Sequence, residues 1–152
     1  MMGAEIFKEC MEIIEPKLKK NPAQIIGKVV IGTVKGDIHN LGKNIVSAML
    51  RGAGFEVYDI GVDKSPEEFL EKIREVEPNI VGLSCLLSTT LGILRETVSM
   101  IKQSGINTKI MIGGGIFSGI TGDQIIVDGA DGLGKNAIEA VNLANTWINK
   151  NN

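Results

Sequence analysis

Residues 28–61 read KVVIGTVKGDIHNLGKNIVSAMLRGAGFEVYDIG, and this stretch decides the fold. A run rich in β-branched residues, 28–34, leads into a helix-length segment, 39–54, and then into a second strand-like run, 55–61. The alternation recurs down the chain. Strand-like runs lie at 79–87 (NIVGLSCLL), 109–115 (KIMIGGG) and, more weakly, 130–134 (ADGLG). Helix-length segments fill 65–77, 88–105 and 116–129, and a last one closes the chain at 136–150. Five strand–helix units in succession predict an α/β fold, a five-stranded parallel sheet with helices on both faces. The runs are apolar almost without interruption rather than alternating, as burial on both faces requires.

Local signals agree with these boundaries. Ser65-Pro66-Glu67-Glu68 supplies a cap, a proline suited to the first helical position, and two acids beside the positive end of the helix dipole. Gly54 and Gly105 fall where the preceding helices must stop. Residues 27–152 therefore read as one domain, with residues 1–26 forming an N-terminal helix and turn. In that first segment Ile6, Phe7, Cys10, Met11, Ile14 and Leu18 recur at three- and four-residue spacings, Pro16 interrupts them, and NPAQ at 21–24 is turn-like. The stripe either packs on its own domain or docks on a partner, a second copy of the chain included.

The composition narrows the partners. With 152 residues, 43% of them hydrophobic, the chain is the size of one domain with a full core. Sixteen Lys and Arg against 18 Asp and Glu leave a formal charge of −2, with no basic run interleaved with aromatics. Nucleic acid is not an expected partner. No segment reaches the roughly 18 apolar residues of a membrane span, and MMGAEIFKEC at the start carries charges throughout, so a cytoplasmic location without membrane attachment is expected. Cys10 and Cys85 have no CxxC partner and no neighbouring histidine, and Cys85 reads as a buried core thiol.

In an open parallel sheet, ligands bind at the carboxyl ends of the strands. The unusual residues of this chain all fall at such ends. Gly36, Asp37, His39 and Gly42 follow the first strand; Ser84, Ser88, Thr89 and Thr90 follow the third; Gly113, Gly114 and Gly115 follow the fourth. His39 is the single histidine. With Asp37 two residues before it, a carboxylate can hold Nδ1 and leave Nε2 free for a metal. One histidine cannot hold zinc, which needs three or four protein ligands. It can be an axial ligand to a metal whose other positions a macrocycle fills, or it can be a structural histidine satisfied by backbone. A hydrolytic triad of Ser84 or Ser88 with His39 and Asp37 lacks the GxSxG elbow. The triple glycine at 113–115 matches neither GxGxxG nor the Walker pattern.

Three strings taken together narrow the choice. GDIHNLGKNIV at 36–46 contains D-x-H-x-x-G, and with GLSCLLSTT at 82–90 and MIGGG at 111–115 it resembles the cobalamin-binding domain, above all that of corrinoid proteins of methyltransferase systems and of methionine synthase. The similarity runs from about Gly27 to Ala144. It implies a flavodoxin-like sheet and a cobalamin whose dimethylbenzimidazole tail lies in a slot beside that sheet. It further implies that His39 ligates cobalt from below, that Asp37 holds the other ring nitrogen, and that Thr90 completes the relay with its hydroxyl. Ile38 and Gly42 belong to the same cofactor-binding loop, Gly42 as a place where a side chain would intrude on the corrin. Ser84 and Leu86, with Gly113 and Gly114, would line the slot, and Ser88 and Gly115 complete the implied set. On this resemblance a Cβ at the glycines would collide with the flat base.

The resemblance implies a corrinoid protein that carries a methyl group between methyltransferase proteins, with a corrinoid reductive activase as a further partner. The small subunit of an adenosylcobalamin-dependent mutase, and a cobalamin storage, delivery or sensor protein, are the alternatives. Two departures stand out: Asn40 in place of the acidic residue common after the histidine, and Gly115-Ile116 in place of the usual Ala-Pro or similar pair. The methyl carriers also have an N-terminal helical bundle over the upper corrin face, which takes about 80 residues. With 27 residues ahead of the first strand here, that face is expected to be open or covered by another chain, and a homodimer through the N-terminal helix is the simplest cover.

Overall fold

The computed structural model describes residues 25–117 and 127–150. Five strands, β1 (Gly27–Val34), β2 (Phe55–Lys64), β3 (Ile80–Ser84), β4 (Lys109–Gly113) and β5 (Gly132–Gly134), form one sheet in the order β2-β1-β3-β4-β5. Every pairing is parallel. Four helices are described: α1 (Leu41–Gly52), α2 (Pro66–Val76), α3 (Leu91–Gln103) and α4 (Ala137–Lys150). This is the expected flavodoxin-like architecture. Among the described residues no helix is long and apolar enough to cross a membrane.

The apolar runs are explained by two cores, one on each face. Val29, Ile31, Ile80 and Met111 meet Leu50 of α1 and Ala144 and Trp147 of α4 on one side. Val81, Leu83, Ile110 and Ile112 meet Phe69 and Ile73 of α2 and Leu94 and Val98 of α3 on the other. Neighbouring residues of a strand thus enter opposite cores, and neither parity can be polar. Each such large side chain contributes about 1.5–3 kcal/mol by leaving water.

Chain order and sheet order part company at β1. The chain passes outward to β2, then returns past β1 to β3, so the loops after β1 and β3 leave the sheet in opposite directions. A crevice opens between them, as at any such reversal. The edge strand β2 is longer than its partner, 10 residues against 8. Its register slips between Ile31 and Gly32 and again between Gly32 and Val34, so that β2 carries bulged residues near its end.

The predicted helix start at Ser65 is found in full. Glu68 N–H donates to Ser65 Oγ at 3.1 Å and Ser65 N–H donates to Glu68 Oε1 at 3.2 Å. Gly54 and Gly105 end their helices at φ 106° and 76°, a region closed to most side chains. Boundaries differ elsewhere. β2 runs on to Lys64, past the expected stop at Gly61. β3 stops at Ser84 rather than continuing to Leu87: Cys85 N–H still donates to Gly113 C=O at 2.9 Å, but the amides of Leu86 and Leu87 turn to a side chain instead of the ladder. β4 stops at Gly113, since Gly114, at φ 120°, swings the chain into a short 3-10 turn over Gly115–Phe117. The helix expected over 116–129 is not found in its described part, and residues 118–126 lie outside the described residues, as does the expected N-terminal helix.

Candidate cofactor site

The loop from Lys35 to Asn40 carries the centre of the site. Asp37 is completely buried although it is charged. Its Oδ1 accepts from His39 N–H at 3.0 Å and from His39 Nδ1 at 2.8 Å. Its Oδ2 accepts from the amides of Leu86 at 2.7 Å and Leu87 at 3.3 Å, the first residues to peel away from β3. Burial by itself would raise this carboxyl, but the bonds from His39 and from the Leu86 and Leu87 amides outweigh it and hold the group below the usual carboxylate range. Asp37 is therefore ionised and can only accept, which places the histidine proton on Nδ1.

The imidazole is held from several sides and yet open. The buried hydroxyl of Thr33 donates to His39 C=O at 3.0 Å. The His39 side chain is 53% exposed, and Nε2 has no hydrogen-bond partner among the described residues. On the two loops that Asp37 joins, Ile38, Leu41, Leu86 and Leu87 are all exposed, with Ile38 at 73%. Large apolar side chains grouped and left wet at one rim mark a binding surface.

Below this rim a cavity of about 240 Å³ runs along the face of the sheet that α1 and α4 cover. Ile31, Val46 and Met111 are among its apolar walls, and Lys43, Ser84, Lys135 and Asn136 are its polar members. Gly82, Gly113, Gly114, Gly115 and Gly134 line it with bare backbone, and Ala137 and Ala140 add small side chains from α4. Gly42, in the first turn of α1, also faces it, and a Cβ there would meet nothing within 4 Å.

The structure brings together Asp37, Ile38, His39, Gly42, Ser84 and the three glycines. Three of the expected residues are placed outside the lining of the cavity. Leu86 does not line the cavity; its amide serves Asp37 and its side chain lies against Gly115. Ser88 is exposed on a 3-10 turn before α3. Thr90 is buried, but its hydroxyl donates to Leu87 C=O at 2.9 Å and sits 3.2 Å from Cys85 Sγ, because the two amides already occupy the free side of Asp37. Thr90 supports the loop through its methyl, which a Cβ on Gly36 would approach to 3.0 Å. Cys85 is the buried core thiol expected, its titration pushed up by burial.

The glycines also owe their place to the protein itself. A Cβ on Gly114 would overlap the backbone of Cys85, and one on Gly113 would come within 2.8 Å of Gly134 C=O. The wall given by Gly134, Ala137 and Ala140 went unread in the sequence, although the small residues of 132–140 were its visible signal.

The donor set suits one particular kind of group. Among the described residues there is no cluster of three or more His, Cys, Asp or Glu that could hold a metal ion by itself. A single oriented imidazole nitrogen, an apolar rim and a narrow slot fit a macrocycle that brings its own equatorial ligands and a flat tail.

Comparisons with known proteins agree. The model of the B12 binding domain matches residues 27–142. A corrinoid protein of Desulfitobacterium hafniense (strain Y51) is 41% identical over 99% of this chain and 70% of its own length. Dimethylamine corrinoid protein 1 of Methanosarcina acetivorans is 42% identical over 93% of this chain and 66% of its own. The methanol:cobalamin methyltransferase complex of Methanosarcina barkeri contains a chain with TM-score 0.73 and 31% identity, over 86% of this chain and 51% of that one. The chain thus spans about two thirds of its curated relatives and half of that crystallised protein. A sheet reversed at β1, a buried Asp37 under a half-open His39, and a match across 27–142 lead to one conclusion: the chain belongs to the B12-binding domain family.

Proposed function

We propose that this chain is a corrinoid protein that carries a methyl group to and from methyltransferase partners, with His39 Nε2 as the lower ligand to cobalt and the cobalamin tail in the slot beside α1 and α4. The observation that carries the reading is the His39–Asp37 pair, one ring nitrogen fixed at 2.8 Å to a buried carboxylate and the other unpartnered at an apolar rim. When bound, the corrinoid supplies the cobalt at which methyl transfer takes place. The chain's own residues do the rest. Asp37 keeps the proton on Nδ1 and so leaves the Nε2 lone pair free, and its charge makes the imidazole a stronger donor. Ile38, Leu41, Leu86 and Leu87 would shield the apolar periphery of the ring from water, and the bare backbone of Gly82 and Gly113–Gly115 would admit a flat base. Methyltransferases are the partners on this reading, with a reductive activase as a further one.

The chain's single histidine makes the test direct. Protein labelled with ¹⁵N is loaded with unlabelled cobalamin and reduced to Co(II), and its paramagnetic resonance is recorded. Ligation by His39 splits the axial lines into doublets from the ¹⁵N spin. Triplets would mean that the cofactor's own benzimidazole still holds the metal, and the reading fails.

A further inference from the structure

Asp63 is one of two described residues other than glycine with positive φ, at 56°. Aspartate tolerates this region better than most residues because its short side chain can bond locally, yet a cost remains. Here the side chain bonds to another strand's loop. Its Oδ1 accepts from Gly36 N–H at 2.8 Å, while Asp63 N–H donates to Asp37 C=O at 3.0 Å. The two bonds grip Gly36 and Asp37, two and three residues past the end of β1. Gly36 is itself left-handed, at φ 88°, so both strand ends are bent toward each other.

The bulges of β2 explain how Asp63 arrives there. In an unbroken register, an edge strand would run parallel past the end of β1 and its side chains would stand off the sheet. The extra residues before Lys64 and the turn at Gly61, φ 102°, redirect the strand end over the loop. Asp37 is otherwise tied by its own amide to Val34 C=O at 3.1 Å and by its carboxylate to the β3 loop. Asp63 supplies the hold from the opposite, β2, side. Lys35 lies 4.0 Å from Asp63, both side chains half exposed, and adds little.

We infer that Asp63 is a positioning residue for the cofactor site: it clamps the Gly36–Asp37 segment so that the Asp37 carboxylate stays aimed at His39 on one side and at the Leu86 and Leu87 amides on the other. This rests on the reading of His39 as the cobalt ligand. Asp63 itself touches neither His39 nor the cavity. Its effect reaches the imidazole through Asp37.

Three full-length variants separate the clamp from general stability. Asp63→Gly keeps the left-handed backbone and the N–H but loses the carboxylate; Asp63→Ala loses the carboxylate and adds strain; Asp63→Asn keeps an acceptor and tolerates the conformation. In cofactor-free protein, amide exchange at His39, Leu86 and Leu87 should quicken about 10-fold or more in Asp63→Gly and Asp63→Ala, and stay within about 2-fold of wild type in Asp63→Asn. Amides of Val30 and Ile112 in the sheet should not change. In the ¹⁵N-labelled, Co(II)-loaded protein, Asp63→Gly should show benzimidazole triplets mixed into the histidine doublets, with doublets restored in Asp63→Asn. Unchanged exchange at His39, Leu86 and Leu87, or faster exchange spread evenly over the sheet, overturns the clamp. If wild type gives only triplets, the reading of His39 fails, while the exchange data still decide the role of Asp63.

Discussion

Leu86 N–H donates to Asp37 Oδ2 at 2.7 Å across 49 residues of chain, joining the loop after β1 to the loop after β3. The bond ends β3 early and fills the side of Asp37 that faces away from His39. The chain thus spends backbone donors, which cannot rotate away, on fixing one carboxylate.

Replacing that carboxylate should show its charge in the pH dependence of stability. The folded form holds Asp37 below its unfolded range, about 3.9, so its contribution is complete above that value and is lost as pH falls through the lower folded value. Asp37→Asn should cost about 1–3 kcal/mol at neutral pH, because an amide NH₂ replaces an acceptor among N–H donors. Urea unfolding at pH 7 and pH 3 should show the gap between variant and wild type shrinking at the lower pH. A gap that widens on acidification would contradict the ionised assignment.

Gly42 and Gly114 should respond in opposite ways. A side chain at Gly42 has open space and sits in a helix, so Gly42→Leu should fold with equal or higher stability and lose cobalamin affinity by at least about 10-fold. Gly114→Val puts a β-branched residue at φ 120° against Cys85 backbone and should cost more than about 4 kcal/mol. Circular dichroism with calorimetric titration of cobalamin checks both. Normal binding by Gly42→Leu would place the ligand elsewhere.

Thr90→Val keeps a methyl against Gly36 and removes the hydroxyl. The variant should lose about 1 kcal/mol with the hydroxyl's bond to the Leu87 carbonyl, which still accepts from Thr90 N–H at 3.1 Å. The Co(II) spectrum and the cobalt potential should match wild type, because Thr90 does not bond to Asp37. A shifted potential would restore the hydroxyl relay that the resemblance implied.

Lys43 is buried beside the cavity, with its ammonium 2.5 Å from Asp59 Oδ2 on β2 and 2.7 Å from Asn44 Oδ1. Lys43→Met should destabilise by about 1–3 kcal/mol, less than the roughly 3–5 kcal/mol of a fully buried pair because Asp59 is partly exposed. Adding Asp59→Leu should recover part of that loss, since it also removes the bond from Gly61 N–H to Asp59 Oδ1 at 2.9 Å. Chemical denaturation of Lys43→Met, of Asp59→Leu and of the double variant measures the coupling, and strictly additive losses would mean that the pair contributes no energy of its own.

The sequence by itself determined the α/β class, the sites of the helix stops at Gly54 and Gly105, the helix cap at Ser65, and the pairing of Asp37 with His39. Each depends on residues near one another in the chain, where periodicity, φ preference and side-chain reach act locally. Strand ends were less legible: NIVGLSCLL reads as one β run, and nothing local shows that the Leu86 and Leu87 amides abandon the sheet for Asp37. The tertiary structure alone decided that Thr90 turns to Leu87, that Gly114 is packed on Cys85, that small residues of β5 and α4 make the cavity's far wall, and that a bulged edge strand brings Asp63 over Gly36. Those contacts join segments far apart in the chain. Their geometry is set by how the crossover helices seat on the two faces of the sheet, a property of the packed whole that no window of sequence contains.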